Sequence, residues 1–249
     1  MFRKVSIFLA LSAMTLLPIF DRPSTAQSTR EGKKPAASKR PVPPKRIPPN
    51  KVKPGGGLDY SIRACESEES SLTALVPVEN PVLTTQSYPS FLFYIPDPAS
   101  AISYGEFSLF TASEKTRIYS TKINIKDTPG IIKIDLPNSP QYALETEQPY
   151  HWYFKLYCQT ETDTPVYLDV DGWVRRVPTT SNTTEQIETA SPVIWYDAIA
   201  IAAQNLIATP QDPIIQSRWL ELLQFIEQEY LANTAIQSVT TENSNSSLE

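Results

Sequence analysis

Side chains able to do chemistry gather in one run, Tyr150-His151-Trp152-Tyr153-Phe154-Lys155-Leu156-Tyr157-Cys158, which holds the only histidine and one of the two cysteines of the 249-residue chain. Histidine is the usual general base, but a Ser-His-Asp or Cys-His arrangement would have to draw on His151 alone, from mid-strand. No G-x-S-x-G nucleophile motif accompanies it. A single histidine excludes multi-histidine metal sites, and the cysteines show no C-x-x-C spacing for redox catalysis. The run itself alternates: Tyr150, Trp152, Phe154, Leu156 and Cys158 share one face and His151, Tyr153, Lys155 and Tyr157 the other. It therefore reads as a strand with an apolar core face, and His151 as a hydrogen-bonded outer residue.

Carboxylates offer the next chemistry. Asp169 and Asp171 share a strand face, and Glu66, Glu68 and Glu69 cluster beside Cys65. A hydrolase would pair Asp169 with a Glu, but glycosidase carboxylates come from separate segments at a set separation, and Asp171 is accounted for by a turn. A calcium site at Asp163, Asp169 and Asp171 lacks the D-x-D-x-D-G order and its distal Glu. The adjacent Arg175 and Arg176 read as partners for surplus acids. Tyr153, Tyr157, Tyr94 and Tyr119 form a candidate outward aromatic surface able to stack sugars or anchor a protein. The alternative is that a helical hairpin covers those rings as core. None of these sets requires a cofactor.

The elements that would position these residues are mainly β. Short apolar runs broken by Pro, Gly and Asn/Asp predict strands at 72–76, 90–95, 106–110, 117–125, 131–136, 150–158, 166–170 and 173–177. Thr128-Pro129-Gly130 suits a type II turn, and Asp171-Gly172 a two-residue type I′ hairpin. About eight strands in this length predict an antiparallel sandwich or small barrel, the sandwich being preferred. After a polar loop, Ser191-Pro192 and Asp212-Pro213 are helix starts. Trp195, Ile199, Ala202 and Leu206, then Ile215, Trp219, Leu222 and Ile226, repeat an amphipathic spacing, so a C-terminal helical hairpin follows.

Flanking segments differ in kind. Arg3 and Lys4, an apolar run over 5–20 and Ser24-Thr25-Ala26 read as a cleaved export signal over 1–26. That run falls short of the roughly 20 residues a spanning helix needs, so no membrane span is expected after cleavage. Residues 27–57 hold seven prolines and a net charge of +8, and read as a disordered basic linker able to touch anionic surfaces. Residues 58–249 carry a net charge of −15, which argues against a nucleic-acid partner. Two cysteines in an exported chain, one on an apolar strand face, predict a Cys65–Cys158 disulfide. The expected layout is a sandwich over 58–180, the hairpin over 181–235 and a disordered tail over 236–249.

Several of these segments, taken together, resemble a known family: Leu72-Thr73-Ala74-Leu75-Val76-Pro77, Pro89-Ser90-Phe91-Leu92-Phe93-Tyr94-Ile95-Pro96, Tyr150-His151-Trp152-Tyr153-Phe154 with Cys158, Gly172-Trp173-Val174-Arg175-Arg176-Val177, and Trp195-Tyr196-Asp197-Ala198. They are similar to domain-of-unknown-function family 928 of cyanobacterial exported proteins over about residues 55 to 210. The resemblance implies export and a Pro-rich leader, and supplies no activity or catalytic residues. The expected function is a non-enzymatic periplasmic or envelope-associated module that binds an envelope protein or polymer. The alternatives are a carbohydrate-binding module using the outward tyrosines and an envelope hydrolase using Asp169.

Overall fold

Alternating burial along Pro149–Cys158 is the starting point of the architecture: Trp152, Phe154 and Leu156 are fully buried, whereas Tyr153, Lys155 and Tyr157 are only partly so. The computed structural model describes residues 47–55, 65, 71–79, 82–161, 163–189 and 192–239. Strands β1 (Thr73–Ala74), β2 (Leu83–Thr84), β3 (Ser90–Ile95), β4 (Ile102–Thr111), β5 (Arg117–Ile123), β6 (Gly130–Asp135), β7 (Pro149–Cys158), β8 (Tyr167–Arg176) and β9 (Ile236–Ser238) form two sheets. One has the order β2-β8-β7-β4-β5 and the other β1-β3-β6-β9. The fold is thus a mainly β sandwich with C-terminal helices.

The two sheets meet through aromatic rings. Phe93 of β3 stacks on Phe154 of β7 at 4.4 Å, and Phe91 packs on Phe107 of β4 at 4.8 Å. A third layer lies on the four-stranded sheet. Helices α2 (Trp195–Ala208) and α3 (Pro213–Phe225) pack on one another, and α2 contacts β3 and β9. Beneath this layer Leu92, Tyr94 and Ile131, on the sheet face away from the sandwich core, are buried as well. Tyr196 of α2 fixes the layer to the core: its hydroxyl accepts from Trp152 Nε1 at 2.7 Å and donates to the Trp173 carbonyl at 2.9 Å. Asp197 is 3% exposed and accepts from Thr84 Oγ1 at 2.5 Å and from the Thr85 amide at 3.0 Å, which joins α2 to β2. Cys65 and Cys158 are disulfide-bonded with a Cα–Cα distance of 5.4 Å.

Several sequence expectations are corrected. Asp171-Gly172 makes no hairpin turn, because β8 runs unbroken through both residues. Glycine is required there by the partner strand: a Cβ on Gly172 would lie 2.4 Å from Trp152 Cζ2. Thr128-Pro129-Gly130 is not a type II turn, since Gly130 lacks the positive φ that turn needs and instead opens β6. The polar loop contains a further helix, α1 (Ser181–Ile187), started by a reciprocal hydrogen-bond pair between Thr180 and Thr183. Ile236–Ser238, expected as disordered tail, pairs in parallel with β6 as β9. The proposed export signal, most of the basic linker, Glu66, Glu68, Glu69, Ser191 and residues 240–249 lie outside the described residues.

The end of the expected linker is also structured. Lys51 and Asp171 exchange both backbone hydrogen bonds, at 2.8 and 3.1 Å, while Ala74 of β1 donates to the Val52 carbonyl at 2.8 Å. Residues 50–52 thus strap β8 of one sheet to β1 of the other. Asn50 is 4% exposed because its amide is used: Oδ1 accepts from the Trp173 amide and Nδ2 donates to the Pro77 carbonyl, each at 2.8 Å. Composition marks this stretch as unfoldable alone, but here its hydrogen bonds are made to two existing strand edges.

Candidate functional site: the outer face of the five-stranded sheet

Because the helices pack on the other sheet, none of those among the described residues covers the outer face of β5-β4-β7-β8. Strand register arranges its side chains in cross-strand rows. Tyr104, Tyr157 and Tyr167 form the first, and Lys122, Glu106, Lys155 and Asp169 the second. Ser120, Ser108, Tyr153 and Asp171 form the third, followed by Arg117, Phe110, His151 and Trp173. The second row alternates in sign and is extended by the strap, whose Lys51 Nζ lies 2.7 Å from Asp169 Oδ2. An open groove of about 540 Å³ runs here, with Phe110, Glu114, Arg117, Tyr153, Lys155 and Tyr167 in its wall.

His151 is the most constrained residue of the face. The residue is 6% exposed, and its ring stacks on Trp173 at 4.2 Å with an interplanar angle of 6°. Nδ1 lies 2.7 Å from Glu114 Oε1 and Nε2 2.8 Å from Asp171 Oδ1. Ionised carboxylates only accept, so an imidazolium, with a proton on each nitrogen, satisfies both contacts. Tyr153 donates to Glu114 Oε1 at 3.1 Å. Glu114 reaches this position from the β4–β5 turn with φ of 57°, a left-handed conformation that a residue with a Cβ adopts at a cost. The hydrogen bond from His151 lowers the Glu114 pKa; burial opposes it, and the hydrogen bond from Tyr153 adds to the lowering. Burial, then the hydrogen bond to Glu114, pushes the Tyr153 phenol well above its ordinary value. Tyr157 is pushed up to about 12 by burial and then by the charge of Glu106.

The four tyrosines singled out from sequence do not form one surface. Tyr153 and Tyr157 stand on this outer face, and neither is capped by the helical hairpin. Tyr94 lies on the other sheet, 6.2 Å from Tyr230. Tyr119 points into the sandwich and packs on Phe107 and Tyr142, at 6.4 and 5.0 Å. Ring faces on the open sheet are engaged by neighbours. Tyr104 stacks on Tyr157 at 4.4 Å with Lys122 Nζ at 4.5 Å from its centroid, and Lys155 Nζ lies 4.7 Å from that of Tyr167. A pyranose could stack only on the ring faces that these contacts leave open.

The carboxylates are engaged too, Asp169 by Lys51 and Asp171 by His151. Among the described residues no group of three His, Cys, Asp or Glu side chains converges to hold a metal ion. Arg176 serves backbone carbonyls, of Thr85 at 3.3 Å and Leu144 at 3.0 Å, rather than the surplus acids. Sequence reading missed Glu114, Trp173, Asn50 and Lys51 as parts of this site. The alternation that puts His151 outward also puts Trp173 and Asp171 outward on the facing strand, but the register that joins them is a long-range property. Glu114 carried no signal beyond its place in a turn.

These features define a class: a two-sheet sandwich whose helices cap one sheet and leave the other with an ordered polar-aromatic face. The chain belongs to the family described as Domain of Unknown Function (DUF928), which matches residues 55–236. No curated protein matches it. Among solved structures it is similar to that of Astrotactin-2, described as a conserved vertebrate-specific and perforin-like membrane protein involved in neuronal development, at 9% identity and a TM-score of 0.27. The likeness covers 64% of this chain and 30% of that one, and at that TM-score carries no argument. Among the described residues no helix is long and apolar enough to cross a membrane.

Proposed function

We propose that this protein is exported and acts without catalysis as an interaction module of the periplasm or cell envelope, holding a protein partner on the outer face of β5-β4-β7-β8. The observation that carries this reading is the open face itself: the helices cover the other sheet, while this one presents an alternating charge row beside the groove lined by Phe110, Arg117 and Tyr167. Opposed charges and aromatic rings on a rigid sheet suit recognition of a protein surface. The engaged ring faces and paired carboxylates make sugar stacking and acid/base hydrolysis less fitting uses of the same residues. The charge split supports export to a surface where a basic leader meets anionic polymer.

A photoreactive residue in place of Tyr167, which is 40% exposed, tests the reading in intact cells against one in place of Ile201, 50% exposed on α2. Cross-links to a defined envelope protein from position 167 alone are expected. Equal yields from both positions, or none from either, would remove the basis for the proposal.

A further inference from the structure

His151 ties together a turn, a strand and the groove wall, and its two partners are not equally held. Asp171 belongs to β8, and its backbone is fixed on the edge side by Lys51 of the strap. Glu114 stands on the β4–β5 turn, its side chain half exposed. That turn is closed by backbone hydrogen bonds from Glu114 to Thr111 and from Thr111 to Thr116, at 2.8 and 2.9 Å. A neutral imidazole has one N–H and can donate to only one of the two carboxylates. The better-anchored one keeps it.

We propose that His151 is a proton-operated latch: doubly protonated, it locks the β4–β5 turn onto β8, and loss of one proton frees Glu114 from the ring and leaves it to the weaker hold of the Tyr153 hydroxyl. This rests on the reading of the outer face as the binding surface, because Glu114 and Arg117 share the groove wall with Phe110 and Tyr153. Release therefore changes the shape of that wall and makes the cluster one charge more negative. The groups facing the ring are few. Glu114 comes from the turn, Asp171 from β8 and Tyr153 from its own strand, with Trp173 stacked on one side. Asp169 is one outward position further along β8 and is held by Lys51, while Arg175 is the next outward residue beyond Trp173. Histidine is the side chain whose unperturbed charge change falls between about pH 5 and 8.

The test uses the full chain and NMR across that range. Imidazole nitrogen shifts report the ring's protons, and hydrogen-exchange protection factors report the turn. On loss of the ring proton, protection at the Glu114 and Thr111 amides is expected to fall about tenfold, the effect of one hydrogen bond to a charged group. The Asp171 amide, bonded to the Lys51 carbonyl, stays protected. Glu114→Gly, which suits the left-handed backbone, retains a titrating ring but loses the pH dependence of turn protection. Constant protection in the wild type through the ring's titration, or an equal fall in Glu114→Gly, would overturn the latch. These readouts need no partner, so the latch and the interaction reading can fail separately.

Discussion

At the scale of single residues, backbone conformation and close approach decide more than side-chain type. Gly172 faces the Trp152 ring with no room for a methyl group. Gly172→Ala is expected to destabilise the protein by about 1 to 3 kcal/mol, the usual range for over-packing, read from the midpoint of chemical denaturation. Glu227 has φ of 58° just past the end of α3, in the position that normally takes glycine, and its side chain is exposed. Glu227→Gly is therefore expected to stabilise by about 1 kcal/mol in the same assay. Glu114 links stability to acid. Its folded pKa lies below the unfolded value of 4.5, so its contribution is complete above that value and is lost as pH falls through the lowered one. Glu114→Gln should flatten this part of the acid-unfolding profile while leaving the neutral region nearly unchanged.

At the scale of elements, the strap makes the clearest prediction. Asn50→Ala removes the acceptor of the buried Trp173 amide and the donor to Pro77, and is expected to cost about 2 kcal/mol. The family match starts at residue 55, beyond the strap. A chain beginning there would leave β8 and β1 with unpaired edges, and faster hydrogen exchange at the Asp171 and Ala74 amides is expected. The elements also show what could be read in advance. Pro149–Cys158 was legible because one buried face imposes a period of two, Ser90–Ile95 because it is a short apolar run bounded by Pro89 and Pro96, and α3 because Asp212 caps it ahead of Pro213. The strap and β9 were not: each is a short segment whose structure consists of hydrogen bonds lent by strands distant in sequence. The Asp-Gly pair misled because a glycine needed for packing against Trp152 looks, in one dimension, like a glycine needed for turning.

At the scale of the molecule, one covalent bond and one layer order matter most. The Cys65–Cys158 disulfide spans 93 residues. Its loss is expected to cost about 4 to 5 kcal/mol in the chain-entropy picture, measured as the fall in denaturation midpoint of Cys65→Ser/Cys158→Ser relative to the oxidised wild type. The layer order settled what the tyrosines could not. Sequence alone left open whether the helical hairpin caps the face carrying Tyr153 and Tyr157 or leaves it exposed. Burial of Leu92, Tyr94 and Ile131 shows the helices drawn to apolar side chains on the outward face of the four-stranded sheet, where Lys133 is buried beside them and paired with Asp135. The charged second face of β7 would have left Lys155 and its neighbours desolvated under a helix.

The strap also defines a path for force. A pull on the chain ahead of Ile47 reaches Asn50 and Lys51 within a few residues, and Lys51 is hydrogen-bonded to Asp171, whose carboxylate holds His151. Force applied there is therefore delivered to the edge of the same sheet that carries the groove, so the incoming chain and the groove wall are mechanically in series.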